Sequence, residues 1–198
     1  MYSLIFRFVQ NLLIKKDPYS DLADFLNKNK FKTIIDIGCA DAPILKKKLK
    51  FSYYFGFDID DKFIELNKKK SLPNTFFFKK GIENINFNNF IKYKKKVIIL
   101  TGVFHHLSDV TIKKFLKKAN KFLIVSLDPV KLQNQNIITR ILFYLDRGNF
   151  IRSEYEYLKI IKNSKHIIIK NKYLNFPYDH ILNLINLKKK LVKNNLTE

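Results

Sequence analysis

Tryptophan is absent, cysteine occurs once, at Cys39, and glycine and proline number five each in 198 residues. A lone cysteine excludes an internal disulfide framework and a multi-cysteine zinc site, and it suits a reducing, cytoplasmic compartment. No apolar run reaches the roughly 20 residues that a membrane-spanning helix needs, so no transmembrane segment is expected. The first fourteen residues are apolar, but Arg7, Gln10 and Asn11 interrupt them and no small-residue cleavage site follows. They read as an amphipathic leading helix rather than a secretory signal. Arginine is also scarce: Arg7, Arg140, Arg147 and Arg152 are the only four, so lysine supplies nearly all of the formal net charge of +21. Such a charge invites a nucleic-acid partner. Yet the lysine runs 46–48, 68–70, 94–96 and 188–190 fall at expected helix ends and strand edges, where solvated faces account for them. The composition therefore argues against nucleic acid as a partner.

Hydrophobic residues make up 46% of the chain, enough for the core of one domain of this length. Short runs rich in β-branched and aromatic residues recur at 32–37, 53–58, 75–79, 97–101, 122–127, 166–170 and 180–187, and read as strands. Segments of helical length alternate with the first five, including 61–70 and 109–119, and two more helical patterns follow at about 134–145 and 153–163. This alternation predicts an α/β fold, a Rossmann-like three-layer sandwich around a mainly parallel seven-stranded sheet. A Pro177-containing turn between the last two runs predicts an antiparallel hairpin strand at the sheet's end. Residues 1–30 form an N-terminal helical segment and 31–190 the main domain in this reading. Ser153 with Glu156 has the spacing of a helix capping box.

Thr33-Ile34-Ile35-Asp36-Ile37-Gly38-Cys39-Ala40-Asp41-Ala42-Pro43-Ile44 is an apolar strand running into a small-residue turn that opens a helix. Small residues at 38, 40 and 42 let backbone approach a ligand closely, and Pro43 suits a first helical position. A nicotinamide-dinucleotide fingerprint needs its third small residue at 43, where proline stands, so an oxidoreductase is disfavoured. The pattern resembles the first motif of class I S-adenosylmethionine-dependent methyltransferases, acidic-x-Gly-x-Gly-x-Gly, with Asp36 as the acidic member and Ala40 and Ala42 in place of two glycines. The resemblance implies S-adenosyl-L-methionine as cofactor, bound along Asp36, Gly38, Cys39, Ala40 and Ala42. Twenty residues after Gly38, Phe57-Asp58-Ile59-Asp60 ends the second strand. A carboxylate there can accept from both ribose hydroxyls, as the family's acidic residue does; Asp58 takes that part, Ile59 lies against the adenine, and Asp60 caps the next helix. After the third strand, Gly81-Ile82-Glu83 departs from the usual order by one residue, and Glu83 is the candidate adenine contact.

The fourth strand leads into Thr101-Gly102-Val103-Phe104-His105-His106-Leu107-Ser108-Asp109, which resembles the strand-four motif of small-molecule methyltransferases. Thr101 and Gly102 would lie beside the methionine part of the cofactor. His105 and His106 are the candidate catalytic bases. No metal is expected, because the other histidines, His166 and His180, lie far along the sequence. Glycines 38, 56, 81 and 102 stand at or near the ends of the first four strands, where a parallel sheet binds its ligand. In Asp146-Arg147-Gly148-Asn149-Phe150-Ile151-Arg152-Ser153-Glu154-Tyr155, two of the rare arginines flank the last glycine. Arginine's planar fork suits carboxylate or phosphate, so Arg147 and Arg152, with Tyr155, are the candidate contacts to an anionic acceptor. Pairing of the two arginines with Asp146 and Glu154 is the structural alternative. The expected activity is methyl transfer to an oxygen or nitrogen of a small-molecule or glycan-type acceptor. The competing reading is a basic RNA-binding protein or RNA methyltransferase on the same fold; a membrane contact by residues 1–16 is a further alternative.

Overall fold

The computed structural model describes residues 18–133, 137–145, 149–161, 166–172 and 179–186. Among these residues eight strands form one sheet: β1 (Thr33–Ile37), β2 (Tyr53–Asp58), β3 (Thr75–Lys79), β4 (Lys96–Thr101), β5 (Leu123–Lys131), the two-residue β6 (Arg152–Ser153), β7 (His166–Lys172) and β8 (Asp179–Ile185). Their order is β3-β2-β1-β4-β5-β8-β7, with β6 beside the end of β5. The pairs among β1 to β5 are parallel, and β8 runs antiparallel to both β5 and β7. β8 therefore sits inside the sheet and β7 forms its edge. The expected hairpin turn at Pro177 lies outside the described residues.

Among the described residues, five helices accompany the sheet: α1 (Pro18–Lys28), α2 (Asp61–Lys69), α3 (Asp109–Lys118), α4 (Ile137–Leu145) and α5 (Glu154–Ile161). One face of the sheet, carrying Ile34, Tyr54, Val97 and Ile99, packs under Leu22 and Leu26 of α1 and Ile64 of α2. The other, carrying Ile35, Phe55, Ile98 and Ile124, packs under Phe115 of α3 and Tyr157 and Ile160 of α5. These are the three expected layers. Side-chain oxygens start the helices: Asp60 accepts from Lys62 N at 2.8 Å, and Ser108 from Thr111 N at 3.2 Å. The Ser153–Glu156 capping box closes at 2.7 Å from Ser153 N to Glu156 Oε2. The Ser153 hydrogen bonds hold the Glu156 carboxyl below its ordinary range.

The expected alternation of strand with helix fails twice. The β1–β2 connection holds only a 3-10 turn, Pro43–Lys46, and β3–β4 holds two, Ile82–Asn84 and Phe87–Phe90. In the second, Asn86 turns its side-chain oxygen to Asn88 N at 3.1 Å, a local bond that competes with a continuing helix. With so short a cover, Phe76 and Phe78 on edge strand β3 stay exposed, each stacked on its β2 neighbour, Phe55 or Phe57.

Gly56 also departs from expectation. It lies within β2, paired in register with Asp36 and Phe77, not at the ligand-binding end. A Cβ there would stand 2.6 Å from the Phe77 ring and 3.0 Å from Cys39 Sγ. Phe77 is buried and cannot swing away freely. Gly56→Ala is expected to lower stability by about 1–3 kcal/mol, read as a lower urea midpoint at unchanged slope; an unchanged midpoint would show that the ring yields without cost.

Candidate active site

Strands are added outward from β1 in one direction (β2, β3) and then from β4 in the other, so the C-terminal ends of β1 and β4 open the crevice where parallel sheets bind ligands. Gly38 leaves β1 at φ +70°, and a Cβ on it would meet Val103 Cγ2 at 2.5 Å. Only glycine fits both the conformation and the gap. Ala40 and Ala42 follow at φ 45° and 51°, so the backbone keeps left-handed steps at 38, 40 and 42 although alanine fills two of them. Each such alanine costs about 1–2 kcal/mol, and surrounding bonds hold the turn. Gly38 N and Cys39 N donate to Phe57 O at 2.8 and 3.0 Å, and Ala42 N to Cys39 O at 2.7 Å. Asn67, buried on α2, donates from its amide to Ala40 O at 2.7 Å. Nothing in the sequence singles out Asn67 from the other asparagines.

Asp58 ties the turn to the end of β2: Oδ2 accepts from Ala40 N at 2.8 Å and Oδ1 from Asp60 N at 2.9 Å. Asp60 is a helix cap, as its position suggests. Ile59 is exposed beside the end of β3, with Cγ2 3.6 Å from where a Gly81 Cβ would lie. Glu83 is exposed and faces α3: Oε1 accepts from Thr111 Oγ1 at 3.3 Å, and its carbonyl accepts from Lys118 Nζ at 2.8 Å. Beneath the turn, Asp36 is buried and accepts a short hydrogen bond from the Tyr54 hydroxyl. Burial drives the Asp36 carboxyl up to about 7 against the pull of that hydroxyl, with the charge of Asp58 adding to the rise. Burial also pushes the Cys39 thiol well up, with Asp36 and Asp58 reinforcing it, so it stays protonated and unreactive.

Across the crevice, Thr101 ends β4 and Gly102 N donates to Leu127 O on β5 at 2.8 Å. The 3-10 turn Phe104–His106 follows. His105 is buried, with its backbone N 3.3 Å and its ring Nδ1 3.2 Å from Asp128 Oδ1, whereas His106 is exposed. The two rings lie 4.0 Å apart. This contact suits the tautomer in which Nδ1 donates its proton to Asp128 Oδ1 and Nε2 carries the lone pair. The only mark of Asp128 in the sequence is a carboxylate directly after the apolar run 122–127 and before Pro129.

Arg152 is 4% exposed. Nε and Nη2 donate to Asp109 Oδ1 at 2.9 and 2.8 Å, Nη1 to the carbonyls of Phe104 and Phe150 at 2.8 and 2.9 Å, and Nη2 to Leu107 O at 2.6 Å. Its fork is filled by the chain itself, so it is not placed to hold a substrate anion. Among the described residues its carboxylate partner is Asp109; Asp146 lies outside them. Tyr155 is largely exposed on α5. Arg147 lies outside the described residues. Among the described residues, no group of His, Cys, Asp and Glu is arranged to hold a metal ion.

No protein-family model and no curated protein sequence matches the chain. Solved structures do. The plantazolicin methyltransferase in complex with a triazolic desmethylPZN analog and SAH is 12% identical, with a TM-score of 0.64 over 94% of this chain and 90% of that one. Magnesium protoporphyrin IX methyltransferase from Synechocystis PCC 6803 with bound SAH is 13% identical, with a TM-score of 0.62 over 85% and 82%. The citrinin polyketide synthase CMeT domain is 11% identical, with a TM-score of 0.59 over 81% of this chain; the chain spans about half of that protein, 48%. The strand order, the turn after β1 and these likenesses agree: the chain has the Rossmann-like fold of S-adenosylmethionine-dependent methyltransferases.

Proposed function

We propose that the protein is an S-adenosylmethionine-dependent methyltransferase acting on a small-molecule acceptor. The observation that carries this reading is the pinned turn of left-handed steps at Gly38, Ala40 and Ala42, held by the Asp58 carboxylate at the neighbouring strand end. The residues fit an adenosyl sulfonium compound. Each Asp58 oxygen that accepts one backbone N–H retains a lone pair for a ribose hydroxyl. Ile59 offers an apolar wall for a purine face, and in this reading Glu83, in the turn after Gly81, meets its amino group. In the same reading Gly38, Cys39, Thr101 and Gly102, on the β1 and β4 loops, meet the amino-acid end. Bound there, the sulfonium supplies an electrophilic methyl group for in-line displacement. The chain's own task is to hold an oxygen or nitrogen nucleophile in line and to keep water out.

Where the acceptor must lose a proton, the Asp128–His105 pair supplies a base of defined tautomer, and His106 stands at the surface beside it. Arg147 and Tyr155 are the acceptor contacts in this reading, with Arg147 meeting an anionic group.

Titration calorimetry with S-adenosylhomocysteine tests the cradle directly. Binding is expected, and Asp58→Asn is expected to weaken it by roughly 10–100-fold, the worth of a charge-assisted hydrogen bond. Absence of heat at millimolar ligand, or equal affinity in the variant, would overturn the assignment.

A further inference from the structure

Helix α4, Ile137–Leu145, has the sequence IITRILFYL, with Thr139 and Arg140 as its only members of a polar residue type besides the amphipathic Tyr144. A helix packed on a globular core turns its apolar stripe inward. Here Ile137, Ile141 and Tyr144 are 73%, 53% and 86% exposed, and Arg140 is exposed among them. Positions 137, 140, 141 and 144 form one stripe of the helix surface. Among the described residues α4 makes no extended contact with another element. The apolar exposure continues beyond it at Phe150, and at Tyr155, 74% exposed on α5.

We propose that the outward stripe of α4 docks on an anionic lipid bilayer. At about 1.5 Å per residue the helix is some 13 Å long, against a hydrocarbon core of about 30 Å, so it lies in the interface rather than spanning it. Ile137 and Ile141 suit acyl chains, Tyr144 suits the headgroup boundary, and the Arg140 stem can lie along the apolar surface with its charge at the phosphates. The net charge of +21 selects the occupant. It draws the chain to an anionic membrane and opposes burial of the stripe against a second copy carrying the same charge. Because β5 runs parallel to β4, α4 follows the same end of the sheet that carries the Gly38 and Gly102 turns. The lipid contact does not depend on the methyltransferase reading; if both hold, an acceptor dissolved in or anchored to the bilayer would meet the crevice from that end.

The test is flotation of the whole chain with vesicles of phosphatidylcholine alone or with about one-third phosphatidylglycerol, at low and high salt. The wild type is expected to float with the anionic vesicles at low salt. The combined variant Ile137→Gln, Ile141→Gln, Tyr144→Gln is expected to bind at least roughly tenfold less at an unchanged urea midpoint, since all three side chains are exposed. Failure of the wild type to float overturns the proposal, and so does equal flotation of the variant, which would assign the binding to lysines alone. Sedimentation of the wild type as a dimer that the variant abolishes, without flotation, overturns it in favour of self-association. None of these outcomes depends on cofactor binding, so failure here is separable from failure of the methyltransferase reading.

Discussion

Arg152→Ala is expected to lower the unfolding free energy by about 3–5 kcal/mol, a loss readable in urea denaturation. The guanidinium reaches three backbone carbonyls, and that of Phe104 belongs to a fully buried residue. Removing the donor takes a partner from each: Phe104 O is left with the Leu107 N–H alone, the part-buried carbonyls of Leu107 and Phe150 lose their Arg152 bonds, and the asymmetry of hydrogen-bond energetics makes that the dominant cost. The ion pair contributes less, because Asp109 is 55% exposed. Asp109→Asn is therefore expected to cost under about 1 kcal/mol. A ranking of the two variants in the reverse order would show that the salt bridge, not the carbonyl contacts, is what Arg152 supplies. The guanidinium also lies over the Phe150 and Tyr157 rings, 5.5 and 6.0 Å from their centroids. Arg152→Met keeps much of that contact without the donors, and separates packing from hydrogen bonding.

The loop that Arg152 braces is the one that carries His105. Phe150 N donates to His105 O at 3.0 Å, so the strand end before α5 holds the turn after β4 from two sides. On the proposed function, a variant that still folds would weaken S-adenosylhomocysteine binding through the adjoining Gly102, without touching the ligand itself.

Arg152 also marks where the sequence stopped being informative. A rare residue beside a late glycine reads equally as an anion clamp or a loop brace, and only the positions of Asp109 and the Phe104 carbonyl, some forty-five residues earlier in the chain, decide between them. Strand and helix positions were legible because hydrophobic period and capping residues act locally: Asp60 and Ser153 each start the helix that their spacing predicts. The seven apolar runs all became strands. Strand order was not legible beyond the parallel core, since apolar runs such as those of β7 and β8 carry no mark of which neighbour they take. Glycine placement was half-legible. Gly38 is fixed by its left-handed backbone and the nearness of Val103, but Gly56 is fixed by Phe77 and Cys39, a packing relation between residues distant in sequence. The same holds for the His105–Asp128 pair, whose members are 23 positions apart and meet only because β4 and β5 are neighbours.

Asp36→Asn is expected to abolish most of a pH dependence that the wild type carries between about pH 4 and 7. The ordinary Asp36 value is 3.8, and burial lifts it to about 7 in the folded chain. Between those values the folded state keeps a proton that the unfolded state has released, so stability falls as pH rises through the window and levels off above it. Roughly three units at about 1.4 kcal/mol each amount to about 4 kcal/mol. Asparagine cannot ionise and can still accept the Tyr54 hydroxyl bond. The variant is therefore expected to be more stable than the wild type at pH 8, by up to about 4 kcal/mol, and to lose that advantage by pH 4. Urea midpoints of both proteins at pH 4, 6 and 8 check the difference; parallel curves would place the Asp36 pKa near its ordinary value. Tyr54→Phe moves the other way. It removes the hydroxyl that favours the carboxylate, so the Asp36 pKa rises further and the decline continues to higher pH. The pair stands directly under the turn at Gly38: Asp36 anchors the base of that turn through Tyr54, and on the proposed function Asp58 is the carboxylate left to meet a ligand.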